Sequence, residues 1–292
     1  MIISIASGKG GTGKTTIAVN LALSITKEIP LSVRNDTSCQ FLDCDVEEPN
    51  AHIFLKPDIT QRESVSIPVP KVDEKKCTYC GKCQEVCAYN AIAVIKNKVL
   101  IFPELCHGCG GCRLLCPEKA IEEIGREIGI TQIGKSGTIE FVNGKLNIGE
   151  AMSPPLIRAV KKSILTDKIN IIDAPPGTSC PVIEAIKGSN YCILVTEPTP
   201  FGLNDLILAV EVLRKLKIPF GVVVNRADIG DKGVDNYCSK ENIPVLMQIP
   251  FDRKIAEAYS TGIPMVEVIP EYKTCFLELF TKIKKLFFYQ EA

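Results

Sequence analysis

Gly8-Lys9-Gly10-Gly11-Thr12-Gly13-Lys14-Thr15-Thr16 sits between an apolar run, Ile2 to Ala6, and a helical pattern, Ile17-Ala18-Val19-Asn20-Leu21-Ala22. Strand, glycine-rich loop and helix, in that order, form the context that a phosphate cradle needs. Gly8, Gly13, Lys14 and Thr15 fill the fixed positions of G-x-x-x-x-G-K-[ST]. The glycines let main-chain N–H groups converge on phosphate oxygens, and the positive end of the helix adds to them. Lys14 is expected to reach the β- and γ-phosphates, and the Thr15 hydroxyl to ligate Mg2+. Gly10, Gly11, Thr12 and Thr16 complete the expected nucleotide-binding loop.

Composition narrows the surroundings of that loop. Lys+Arg and Asp+Glu both count 34 in 292 residues, so the formal net charge is zero. That argues against nonspecific nucleic-acid binding, which needs a basic face. The chain opens directly on the strand and loop, so no leader is expected. No run of 18 apolar residues is present, so no membrane span is expected. Fourteen cysteines beside a nucleotide motif point to metal ligation in a reducing cytoplasm, not to disulfides.

The second lysine of the loop, Lys9 before Gly10-Gly11, gives K-G-G-x-x-G-K-T. This form resembles the deviant Walker A of the MinD/ParA-like ATPases, a group that includes the nitrogenase iron protein and metal-cluster assembly ATPases. The resemblance implies an ATPase that dimerises around two nucleotides, with Lys9 reaching the partner's phosphates; the alternative is a lysine that touches only its own phosphates or solvent. It further implies a role for Asp43-x-Asp45-x-x-x-x-Asn50 as the first switch, with Asp45 acting on the attacking water. Ile169-Asn170-Ile171-Ile172-Asp173 reads as a core strand. Asp173 at its end is expected to hold Mg2+ through water, and Gly177 in the following Pro-Pro-Gly-Thr to sense the γ-phosphate through its N–H. By the same resemblance Asn225 reads the adenine and Pro250 begins a loop that closes over the base.

Cys77, Cys80, Cys83 and Cys87 are spaced C-x2-C-x2-C-x3-C. Cys106, Cys109, Cys112 and Cys116 repeat that spacing 29 residues later, and Ala91-Ile92 and Ala120-Ile121 keep the same offset. This internal duplication resembles a bacterial-type ferredoxin with two [4Fe–4S] clusters. Three close cysteines wrap one cubane and the fourth comes from the other half. One cluster is therefore expected on Cys77, Cys80, Cys83 and Cys116, the other on Cys106, Cys109, Cys112 and Cys87. Gly81, Gly108, Gly110 and Gly111 free the loops to turn N–H groups toward sulfur. Ala88 stands where a proline often follows the fourth cysteine. Zinc is the competing metal. Of the remaining cysteines, Cys39 and Cys192 read as core, whereas Cys44 and Cys180 are candidates for positions near the nucleotide.

Between these signals the rhythm is strand and helix. Gln40 to Asp43, Tyr191 to Thr196, Phe220 to Val224 and Val245 to Ile249 read as strands, and Leu203 to Leu216 as a helix. The first helix is expected to end between Ile25 and Glu28, before a polar stretch, Ser32 to Ser38. Residues 56–70, with Pro57, Pro68 and Pro70, read as a break. Thr138 to Val142 and Lys145 to Ile148 read as two short strands, and Ser153 as the N-cap of a helix opening at Pro154. Phe276, Phe280, Ile283 and Phe287 share one helix face, either turned to the core, the preferred reading, or membrane-binding. The expected fold is α/β: a doubly wound, mostly parallel sheet over 1–67 and 125–292, with a small α+β ferredoxin-like domain inserted at 68–124. The expected function is ATP hydrolysis that couples dimerisation to electron transfer or metallocofactor assembly, with a redox or metallocofactor-acceptor protein as partner. A membrane-cycling positioning ATPase with a redox-sensing ferredoxin, and a plain electron carrier with a structural ATPase half, are the alternatives.

Overall fold

The computed structural model describes residues 1–27 and 39–288; the polar stretch Ser32 to Ser38 lies outside them. The strands are β1 (Ile2–Ala6), β2 (Cys39–Asp43), β3 (Asp58–Val72), β4 (Ile92–Ile95), β5 (Lys98–Ile101), β6 (Ile121–Ser136), β7 (Ile139–Leu146), β8 (Ile169–Asp173), β9 (Tyr191–Thr196), β10 (Phe220–Asn225) and β11 (Val245–Ile249). The helices are α1 (Lys14–Lys27), α2 (Ala51–Leu55), α3 (Lys82–Glu85), α4 (Gly111–Leu114), α5 (Pro154–Lys161), α6 (Cys180–Ile186), α7 (Pro200–Leu216), α8 (Gly233–Lys240), α9 (Arg253–Ser260), α10 (Met265–Val268) and α11 (Glu271–Phe288).

Nine strands form one sheet in the order β11-β10-β9-β1-β8-β2-β7-β6-β3. From β11 to β7 every neighbour is parallel, and β6 and β3 add an antiparallel end. The parallel strands are apolar on both faces, as strands covered on both sides must be. Successive residues alternate between two cores. Ile5, Phe41, Ile171, Ile193 and Val223 join α1 and α11 in one. Ala6, Leu42, Ile172, Leu194 and Val224 join α5, α6 and α7 in the other. The chain leaves β1 toward β2 on one side and returns through β8 and α6 to β9 on the other. This reversal beside β1 opens the crevice in which such sheets bind ligands.

Two expectations are corrected here. Residues 56–70 are no break: 58–72 form a strand paired along its length with β6. Pro68 and Pro70 are tolerated because β3 is the edge of the sheet; two residues apart, they place both missing N–H groups on the same side. The two short strands expected at 138–148 are a single one, β7. Its neighbour β6 escapes a pattern reading because Gly129 and Gly134 interrupt it. Both glycines are needed. A Cβ on Gly129 would lie 2.5 Å from the Lys145 carbonyl oxygen, and one on Gly134 would overlap the Asp58 carbonyl. Each pairs with β3 where that strand bulges, at Val65/Ser66 and Ile59/Gln61. Strands β3 and β6 thus run unbroken through the boundaries expected at 67/68 and 124/125.

Ser153 occupies the N-cap position of α5, but its side chain makes no capping bond. Pro154 and Pro155 leave it little to cap, and its hydroxyl donates instead to Glu47 Oε1 at 2.9 Å. Of the α11 stripe, Phe276, Phe280 and Ile283 face the core, buried together with Leu279 and with Ile17 and Leu21 of α1, whereas Phe287 is only half-buried. No helix among the described residues is long and apolar enough to cross a membrane.

Candidate functional site

The loop after β1 winds back over the strand end and enters α1 through the bond from Ile17 N–H to the Gly13 carbonyl, 3.0 Å. Gly13 has φ +95°, and a Cβ there would lie 2.7 Å from Asn225 Nδ2. Only glycine satisfies both conditions. Asn225 Nδ2 donates to the Thr12 carbonyl at 2.9 Å, so the end of β10 holds the loop in shape. A cavity of about 340 Å³ opens at the C-terminal ends of the parallel strands. Gly10, Gly11, Gly13, Lys14, Thr15 and Thr16 line its floor; Asp45, Asn225 and Pro250 line its sides. Its size lies within the range of small-molecule sites.

Charge is concentrated beneath that floor. Asp43 and Asp173 end the paired strands β2 and β8 side by side, both wholly buried. Asp43 is a structural acceptor, taking the Asp45 and Ala51 N–H groups at 3.1 Å each. Asp173 Oδ2 accepts the Thr15 hydroxyl at 2.6 Å, while its Oδ1 is buried with no hydrogen-bond partner. Burial pushes the Asp173 carboxyl up to about 7, against the pull of the Thr15 hydroxyl and Lys14. Asp45 is pushed up to about 6, again by burial, with Lys14 opposing. Burial lowers Lys14, and the nearby Asp173 and Asp45 charges oppose the shift. An orphaned carboxylate oxygen beside a threonine hydroxyl is what a hydrated divalent cation would satisfy, so these residues fit Mg2+.

The expected site residues are not all gathered. Lys9 turns aside to Glu197 Oε2 at 3.4 Å, and Glu197 also takes Arg226 Nη1 at 2.9 Å. Gly177 lies outside the cavity and donates its N–H to the Ser7 carbonyl at 3.0 Å; Pro176 lines the wall instead. Gly8 and Thr12 do not line the cavity. Asn50 of the expected first switch and Phe251 of the expected Pro250 loop line the cavity too, and so do Glu48, Arg226 and Tyr259, for which no role was expected. Of these three, only the half-exposed aromatic Tyr259, following the Pro250 loop, offered a signal. Cys44 is core, wholly buried with Leu42 and Val46. Cys180 is exposed at the start of α6 and does not line the cavity.

Beyond the outer ends of β3 and β6 the chain repeats itself. Helices α3 and α4 begin after Gly81 and Gly110, both left-handed. Cys77 and Cys106 Sγ each accept the N–H two residues on, at 3.4 Å. Cys87 and Cys116 Sγ accept the N–H four residues on, at 3.2 and 3.3 Å. Every pair keeps the 29-residue offset. Tyr79 takes φ +54° where its counterpart is Gly108. Cys77, Cys80, Cys83 and Cys116 line one small cavity; Cys87, Cys106, Cys109 and Cys112 line a second. Over the latter, Tyr89 and His107 stack with ring centroids 3.5 Å apart. Among the described residues no three His, Cys, Asp or Glu side chains are grouped so as to hold a single metal ion.

A cradle at a helix N-terminus, with lysine and threonine set against a strand-end aspartate, defines a nucleotide-binding α/β protein of the P-loop class. The CobQ/CobB/MinD/ParA nucleotide binding domain matches residues 3–265, and the chain belongs to that family. It is 32% identical over 265 residues to the uncharacterized protein MJ0579 of Methanocaldococcus jannaschii, covering 90% of each. It is also 32% identical over 287 residues to an iron-sulfur cluster carrier protein of Pyrococcus furiosus, covering 90% of this chain and 78% of that one. The solved septum site-determining protein MinD of Pyrococcus horikoshii, complexed with Mg-ADP, superposes with a TM-score of 0.56. The match spans 98% of this chain and 96% of that one at 22% identity, a likeness of fold.

Proposed function

We propose that the chain binds and hydrolyses MgATP as a homodimer and carries two [4Fe–4S] clusters on its β3–β6 arm. Nucleotide-driven dimerisation would then be coupled to electron transfer or to iron–sulfur cofactor assembly. One observation carries the reading: a single polypeptide joins the cavity lined by Lys14, Thr15 and Asp45, with Asp173 bonded to Thr15 beneath it, to two cavities lined by four thiols each. The iron-sulfur cluster carrier proteins among its relatives support the direction.

In this reading Lys14 neutralises the β- and γ-phosphates, and Thr15 and Asp173 hold Mg2+, Asp173 through water. Asp45 orients the attacking water; catalysis of this kind is positioning and electrostatics. Lys9 leaves Glu197 for the phosphates of the partner, as the deviant Walker A of this group implies. Gly177 exchanges the Ser7 carbonyl for the γ-phosphate, and Asn225 keeps a second N–H for the base beside Pro250. The domains of this reading are an ATPase of 1–67 and 125–292 and a ferredoxin-like insertion of 68–124, with the β3–β6 ribbon running across both boundaries.

The thiol cavities fit cubanes better than zinc. A four-iron cluster takes one thiolate on each iron, so four thiols can surround a cavity without converging on one point, whereas zinc needs convergence. Cys77, Cys80, Cys83 and Cys116 would hold one cluster, and Cys87, Cys106, Cys109 and Cys112 the other. Bound there, the clusters supply one-electron chemistry. A pull-down under anaerobic conditions, with a non-hydrolysable ATP analogue and with ADP, tests the coupling. An acceptor or apo-metalloprotein retained only with the analogue is expected; identical partners in both nucleotides would remove it.

A further inference from the structure

The nucleotide-side segment and the arm are joined by more than the sheet. Glu47, two residues beyond Asp45, accepts the Ser153 hydroxyl at 2.9 Å. Next to it, Leu146 N–H donates to the Val46 carbonyl at 2.9 Å. Between Leu146 and Ser153 the chain makes a turn. Asn147 N–H donates to the Ile128 carbonyl on β6 at 2.9 Å, and Glu150 N–H to the Asn147 carbonyl at 3.2 Å. The Glu150 carboxylate, 8% exposed, clasps the Arg126 guanidinium with both oxygens.

Arg126 is placed to reach the arm. On β6 it pairs with Ile67, and the neighbouring Gly125 with Pro68. Pro68 lines the cavity of Cys87, Cys106, Cys109 and Cys112. Gly108, two residues after Cys106, packs so closely on it that a Cβ would lie 3.1 Å from the Pro68 carbonyl oxygen. Arg126 Nε is buried without a partner. The two halves differ here. The residue 29 positions before Arg126 is Asn97, uncharged, between β4 and β5.

We propose that the 147–153 turn is a joint, with Arg126 and Glu150 as positioning residues, through which the Asp43–Asn50 segment acts on the cavity of Cys87, Cys106, Cys109 and Cys112 and not on the other. A two-point ion pair with one partner largely buried is costly to open, so displacement at Ser153 is transmitted to β6 instead of being absorbed within the turn. The joint presupposes the ATP-and-cluster function proposed above.

Hydrogen–deuterium exchange on the anaerobic holoprotein tests it, comparing Mg-ADP with a non-hydrolysable ATP analogue. In wild type, exchange over 104–112 should differ between the two nucleotides by about fivefold, the low end of ordinary site–site coupling, while 75–83 stays unchanged. Glu150→Gln and Arg126→Met should lose the difference with nucleotide affinity retained, and Arg126→Lys, which keeps the charge but not the two-point fork, should retain only part of it. Ser153→Ala releases the other end of the turn without touching the ion pair, and should lose the difference too; it decides the matter if the Glu150 or Arg126 variants do not fold. A difference that persists in Ser153→Ala and Glu150→Gln, or a wild type that binds both nucleotides yet shows none, overturns the joint alone. A wild type that takes up no nucleotide, or no iron, overturns the proposed function and the joint with it.

Discussion

Thr15 and Asp173 stand 158 residues apart in the chain and share a hydrogen bond of 2.6 Å, from threonine Oγ1 to aspartate Oδ2. The bond ties the head of α1 to the end of β8 and leaves the second carboxylate oxygen buried and unpartnered. In the function proposed above, the site is thus assembled ahead of Mg2+, with a carboxylate whose buried charge is costly until a cation arrives.

That cost has a pH signature. Asp173 is pushed up to about 7 and Asp45 to about 6, whereas an unfolded aspartate titrates at about 3.9. Between these limits the native state binds more protons than the unfolded chain, and burial raises the neighbouring Asp43 in the same direction, so stability falls as pH rises through the window. Without Mg2+, the melting temperature should drop between pH 5 and pH 8. Asp173→Asn should flatten that drop and gain on the order of 1–2 kcal/mol at pH 8. An equal loss of stability in the variant at both pH values would show that the charge of Asp173 carries no penalty.

Lys14 and Asp45 should separate binding from chemistry. Lys14→Ala removes the buried cation under the phosphates and should lose nucleotide affinity, by a factor of about 100 or more for one charge-assisted contact and its desolvated partners. Asp45→Ala should bind ATP and slow its hydrolysis. Isothermal titration beside single-turnover phosphate release distinguishes the two. Equal loss of binding in both variants would make Asp45 a magnesium or folding residue.

Two cubanes contain about eight iron and eight sulfide per chain, four of each in every cluster. Anaerobically prepared protein should approach those values, and iron near four or stoichiometric zinc would defeat the assignment. Cys116 lines the cavity of the first cysteine set and Cys87 that of the second. Each serine substitution should therefore damage, in EPR, the cluster bound mainly by the other motif.

The Lys9–Glu197 pair at 3.4 Å should restrain dimerisation, since a lysine that crosses to a partner must first leave Glu197. Partly exposed pairs of this kind are worth up to about 1 kcal/mol. Glu197→Gln should therefore raise the dimer association constant in a non-hydrolysable ATP analogue by up to about fivefold per pair, read by analytical ultracentrifugation. Lys9→Ala should lower it. Unchanged association in both would leave Lys9 with its own phosphates or with solvent.

The parallel part of the fold was legible because its strands are continuous apolar runs. Ile169–Asp173, Tyr191–Thr196 and Val245–Ile249 were marked at the bounds they have. The loop from Gly8 to Thr16 and the duplicated cysteines were legible because their chemistry fixes residue type and spacing together. Strands β3 and β6 were not. Proline and glycine stand where an edge and two bulges permit or require them, and a local pattern cannot show that a neighbouring strand is there. Cys44 was misplaced for a related reason: adjacency to Asp45 in sequence says nothing of the face to which a strand end turns its thiol. The partners of Lys9 and Gly177 were equally hidden, because Glu197 and Ser7 belong to other strand ends.

Because β3 closes the sheet with Pro68 and Pro70 on it, the arm is also the sheet's terminus. Deleting residues 58–136 would bare β7, whose Phe141, Val142, Asn143 and Gly144 are buried, as a new edge open to pairing with other chains. The cysteine-bearing part therefore cannot be cut away at the margin of β7; the cut has to fall within the ribbon. A truncation should keep the β3–β6 ribbon to at least Val65 and Gly129, which pair, and close it with a short turn.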